Sequence, residues 1–183
     1  MLELLQSDSL HLGGEQLLTP EQIREALSTD GLLFDTAITR HRFTPYMRDY
    51  EVVVVVPRGS QHVFRFSHCP FVEVFTGVRD EVWRHSWDDV FTDYSAWEAA
   101  GQPEGYVWGV CDSLAFPGPT YLEDSKLAEE WTSRLGKLMH EVLIQTNGHN
   151  IRVVFHDLHI TELREGDADW VRVGTPPKPT SNS

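Results

Sequence analysis

Two short motifs place groups that could do chemistry close together in the chain: His140-Glu141 and His156-Asp157-Leu158-His159. Two imidazoles and a carboxylate could hold zinc or another divalent ion. They could also form an oriented general base in which Asp157 sets the tautomer of a histidine. The structural alternative is that these residues end a strand and satisfy its last backbone groups, since H-E and H-D-x-H lack the geometry of H-E-x-x-H on a helix. The elements that carry them decide whether they meet. Met139 to Thr146 and Asn150 to Leu158 read as a hairpin around Asn147-Gly148, a type I′ turn signal. Its parity puts Val142 and Ile144 on one face with Ile151, Val153 and Phe155. That face also carries His140, Asp157 and, if the strand runs on, His159.

A second candidate is the span from His85 to Ser125. It holds eight acids, Asp88, Asp89, Asp93, Glu98, Glu104, Asp112, Glu123 and Asp124, without one Lys or Arg. Trp83, Trp87, Trp97, Trp108 and Trp131 fall in or beside it, with Tyr94, Tyr106 and Tyr121 interleaved. Aromatic faces next to carboxylates suit a cationic ligand, a sugar ring or the basic patch of a partner protein. The alternative is that the acids sit in the first turns of helices and the aromatics in the core. Trp87, Asp88, Asp89, Asp93, Tyr94 and Trp97 are the residues of this surface that we expect to bind. From Arg40 to Arg84 seven Arg stand against five acids, so charge is segregated along the chain.

The remaining pattern supplies the scaffold. Thr19, Pro20 and Gln22 form a capping box with Pro at N1, opening a helix with a short stripe of Ile23, Ala26 and Leu27. A strand is expected from Phe34 to Phe43. Tyr50 to Val56 and Val63 to Phe66 form a hairpin whose turn, centred on Arg58 and Gly59, pairs Val53 with Phe64 and Val55 with His62, and sets Asp49 opposite His68. Short helices are expected to start at Ser86 and at Thr92, the second ending at Gly101. Gly105 to Phe116 reads as a strand that Pro117-Gly-Pro breaks. Asp124 to Leu135 is the best helix, with Leu127, Trp131 and Leu135 as its stripe and Gly136 after its end.

Composition narrows the function classes. The chain has 183 residues, 40% of them hydrophobic and 23% charged, which suits one core that needs no disulfide or metal staple. A formal charge of −13 argues against binding phosphate backbones or anionic membrane. The longest apolar run, Val52 to Pro57, is too short for a bilayer, and Met1 to Leu10 has neither the basic nor the apolar region of a secretory signal. Cys69 and Cys111 form no framework, so a reduced, cytoplasmic chain is expected. Cys69 reads as a buried structural cysteine. There is no G-x-S-x-G elbow, no phosphate loop and no G-x-G-x-x-G after a strand, and acids are too plentiful to single out a glycosidase pair.

The expected fold is α+β: one domain over residues 1–173 with a disordered tail at 174–183. It has a mostly antiparallel sheet of about six or seven strands and one main helix packed on a face. The expected function is a non-enzymatic binding protein of the immunity or adaptor kind that uses its acidic, aromatic-rich surface on a basic partner, with no cofactor. The rival is a hydrolase or lyase using His140, Asp157 and His159 with a divalent metal such as zinc.

Overall fold

The computed structural model describes residues 18–28, 33–56, 59–77, 80, 84, 94–102, 113–116 and 118–168. Helix α1 (Pro20–Ala26) opens with the capping box read from the sequence: Thr19 Oγ1 accepts from the Gln22 N–H, and Gln22 Oε1 accepts from the Thr19 N–H. It drops Ile23 and the following Leu27 into the core. Next come β1 (Ala37–Phe43), β2 (Tyr50–Val55), β3 (Gln61–Ser67) and β4 (Phe71–Thr76), then α2 (Tyr94–Ala99), β5 (Ser113–Leu114) and β6 (Gly118–Tyr121). The main helix α3 (Lys126–Leu135) precedes β7 (His140–Gln145), β8 (His149–Phe155) and β9 (Asp157–Leu163). The strands form two antiparallel sheets, ordered β5-β1-β2-β3-β9 and β4-β8-β7-β6. The expected α+β class therefore holds, with the strands divided between two sheets.

Alternation explains why the sheets stack. Val52, Val54, Phe64, Phe66 and Leu158 of the five-stranded sheet meet Val142, Ile144, Ile151, Val153 and Phe155 of the other in one buried cluster. Phe66 and Phe155 cross this core edge to face, with centroids 4.9 Å apart. The expected parity of β7 and β8 is the observed one, with Val142 opposite Val153 and Ile144 opposite Ile151. The turn between them is not type I′, because neither Asn147 nor Gly148 takes the positive φ that type requires. Asn147 is instead tied to Leu114 of β5 in both directions, N–H to carbonyl and carboxamide oxygen to N–H.

The first hairpin slips one residue from the expected register, pairing Val53 with Val63 and Val55 with Gln61. The Val56 N–H bonds the Ser60 carbonyl across residues 57–59, and Gly59 sits at φ 88°, so the loop has three residues rather than two. Gly118–Tyr121 is a strand where a break was expected. Pro119 is tolerated there because β6 is an edge strand of its sheet. Helix α3 starts at Lys126 with Ser125 as N-cap, and Gly136 closes it at φ 64°. It packs Leu127, Ala128 and Trp131 on Met139, Val154 and Phe71, the outer face of the four-stranded sheet, while Leu135 is 47% exposed. The expected α3 stripe thus loses Leu135 to solvent and gains Ala128. Helix α2 carries the expected second short helix. The first, at Ser86, and the tail from 174 lie outside the described residues.

Candidate functional site

The histidine and aspartate candidates are divided by a bend in the chain. His140 opens β7 on the inner face, buried opposite Phe155, with Nδ1 2.6 Å from the Tyr121 hydroxyl. At His156 the chain leaves the four-stranded sheet, and Asp157 and His159 belong to β9, paired with Ser67 and Arg65 of β3. Leu158 fills the core between them, so Asp157 and His159 point to the far side of the five-stranded sheet. The shared face expected for His140, Asp157 and His159 does not form, because one strand was read where there are two. His159 Nε2 lies 3.1 Å from Asp157 Oδ2. Burial pushes the His140 imidazole below the usual histidine range, His156 adds repulsion, and Asp157 opposes both. Among the described residues, no group of three or more His, Cys, Asp or Glu is placed to hold a metal ion.

A second polar site lies under the start of α3. Glu141 faces outward from β7, yet α3 covers it completely. Its carboxylate accepts from Ser125 Oγ and from Arg152 Nε, and Ser125 Oγ in turn accepts from the Ala128 N–H at 2.9 Å. Ser125 thereby caps the helix and anchors it to the sheet. Residues 121–127 with Glu141 and Arg152 line an open groove of about 460 Å³ at this point.

The groove is where the acidic span ends. Glu123 and Asp124 are exposed on its rim. The guanidinium of Arg24 lies over the Tyr121 ring, 5.4 Å from its centroid, while its Nε pairs with Glu123 at 2.9 Å. Of the expected binding residues, Tyr94 and Trp97 fall on α2, where Trp97 is half-buried and Glu98 exposed. Trp87, Asp88, Asp89 and Asp93 lie outside the described residues.

Tertiary structure adds residues that spacing did not single out. Ser125 meets Glu141 because the start of α3 folds over β7, and Arg152 meets it as a diagonal neighbour across the β7–β8 pairing. His68 and His156 come together at a corner, their rings edge to face with centroids 5.8 Å apart. His156 stands inside the H-D-x-H motif, but its parity opposes that of His140, so the sequence signal passed over it. Cys69 is buried, its Sγ donates to the Phe71 carbonyl, and burial pushes its thiol up to about 12, far from a nucleophilic thiolate. No helix among the described residues is long and apolar enough to cross a membrane. The family described as YxiG-like protein matches residues 20–173 of the chain. No curated protein matches it.

Proposed function

The chain belongs to the YxiG-like protein family, and we propose that it is a non-enzymatic binding protein, immunity- or adaptor-like, that offers an acidic, aromatic-rich surface to a basic protein partner. The observation that carries this reading is the seat of Arg24: one guanidinium held at once by the Tyr121 ring and the Glu123 carboxylate. A partner's Arg or Lys would be recognised by the same two kinds of group, aromatic ring and carboxylate, which the span repeats in its sequence.

Charge supports it. Arg24 pairs with Glu123 of the span, whereas other arginines pair with carboxylates outside it: Arg48 with Asp49, Arg42 and Arg65 with Glu51, and Arg152 with Glu141. The span from His85 to Ser125 has no Lys or Arg of its own to neutralise its eight acids. The rival reading, a metal-dependent hydrolase or lyase at His140, Asp157 and His159, has no specific observation in its favour.

The test is capture of a partner from the native cell extract, identified by mass, followed by titration of the purified pair at low and high salt. Binding should weaken steeply as salt rises, because charge steering is screened beyond about 8–10 Å. Asp88→Lys with Asp89→Lys should weaken it further while moving the melting temperature by only about 2–4 °C. Equal binding by the wild type and the double variant at both salts overturns the reading.

A further inference from the structure

The two sheets are joined by a bent ribbon. Strand β3 passes into β4 through His68-Cys69-Pro70, and β8 passes into β9 through His156. The crossings lie side by side: Ser67 pairs with Asp157 on one side of the bend and Phe71 with Val154 on the other. The His156 N–H bonds the Ser67 carbonyl at 2.9 Å across it. Each crossing carries one histidine at its corner, and these are the two whose rings touch. His68 is held at φ 48°, a conformation few side chains adopt readily. His156 Nδ1 donates to the Leu138 carbonyl at 2.8 Å, which leaves Nε2 to take a proton.

We propose that this corner is an acid-responsive hinge: neutral imidazoles pack the crossings together, and imidazolium charge drives them apart and loosens one sheet from the other.

The groups around the corner favour repulsion. Arg48 and Asp49 come from the β1–β2 connection, Lys137 from the end of α3, His140 from β7 with Tyr121 from β6, Arg24 from α1, and Asp157 with His159 from β9. The buried thiol of Cys69 stays neutral. Asp49 is committed to the Arg48 guanidinium and to the His68 N–H. Asp157 Oδ1 accepts from the Leu158 N–H, and its buried Oδ2 makes no hydrogen bond, although His159 is within ion-pair distance. Two carboxylates, Asp157 and the Arg48-paired Asp49, thus stand against four imidazoles, His68, His156, His140 and His159, and three further cations, Arg48, Lys137 and Arg24. Burial is the main cause that holds both the His68 and His140 imidazoles below the usual histidine range, Lys137 and Arg48 add to it at His68, and His156 is the neighbour that opposes charge on both.

The experiment is a proton NMR titration of the histidine rings, with amide-exchange protection, in the wild type and in His156→Gln. Gln can still donate to the Leu138 carbonyl. Removing His156 should raise the titration midpoints of both His68 and His140. In the wild type, protection at Phe71, His156 and Asp157 should fall at least about tenfold more than along the β1–β2 ladder between about pH 7.5 and pH 5.5, and the variant should lose most of that difference. Midpoints that stay put in the variant overturn the hinge, as does protection in the wild type that falls equally in all strands. His68→Asn, compatible with positive φ, covers the case in which His156→Gln does not fold: it too should suppress the acid-dependent loss of protection at the crossings, and an unaltered loss counts against the proposal.

Discussion

Glu51 and Glu141 occupy like positions in the two sheets: each sits on an interior strand, faces away from the shared core, and is almost wholly buried, at 4% and 0% exposure. Their charges are met differently. Glu51 accepts from Arg65 Nε and Nη2 at 3.0 and 2.8 Å and has Arg42 Nε at 3.5 Å, both arginine side chains being about half exposed. Glu141 lies under α3, held by Ser125 and Arg152. Glu51 shares its outward face with the buried Val53 and Val63, and its charge is met by two arginines that keep much of their water. Glu141 is met by one group that comes with the covering helix, its N-cap Ser125, and by one from the neighbouring strand, Arg152. The first arrangement ties strands β1, β2 and β3 together, whereas the second also fastens a helix to a sheet.

The sharpest way to break the comparison is to truncate each carboxylate. Glu141→Ala should cost about 3 kcal/mol, since it leaves the buried Ser125 hydroxyl without its acceptor and empties the space under the helix, and Glu51→Ala only about 1 kcal/mol, since its arginines turn to water. Equal losses in urea unfolding would erase the distinction. Trp131→Ala should cost about 2 kcal/mol, less than a fully buried tryptophan, because the indole is half-buried on α3 and covered on one face by the Arg134 guanidinium at 3.7 Å. A loss above about 4 kcal/mol would mean that α3 is fastened by its apolar stripe more than by Glu141.

Ser125→Ala removes both the N-cap and a donor to Glu141 and should cost about 1–2 kcal/mol. In a double-mutant cycle with Glu141→Ala the two losses should be non-additive, whereas Ser125→Ala and Glu51→Ala should add. The smallest effect is that of salt. Raising it should shrink the cost of Glu51→Ala by a few tenths of a kcal/mol and that of Glu141→Ala by less, because Arg42 and Arg65 are 46% and 52% exposed and Arg152 35%.

Much of the scaffold was legible in short stretches of sequence. The capping box of Thr19 and Gln22 needs only four residues to make its two bonds, and Gly136 ends α3 by a conformation set by its own lack of a side chain. The inward faces of β7 and β8 follow from alternation alone. The candidate site was less legible. The motif around His156 reads as one strand because alternation continues through it, so His159 was placed beside His140 when it stands on another sheet. The turn at Gly59 moved the first hairpin by one residue, and with it which side chains oppose which.

What the sequence by itself determined is therefore local: where α1 and α3 begin and end, which side of each strand is apolar, and that acids gather between His85 and Ser125 without a cation among them. Tertiary structure alone decided that β8 and β9 part company at His156, that His68 and His156 touch, and that Ser125 lands on Glu141. The physical reason is range. Capping and pleat alternation act between residues a few positions apart, whereas a crossing between sheets and a helix laid over a carboxylate are set by packing between segments distant in the chain, for which residue spacing carries no signal.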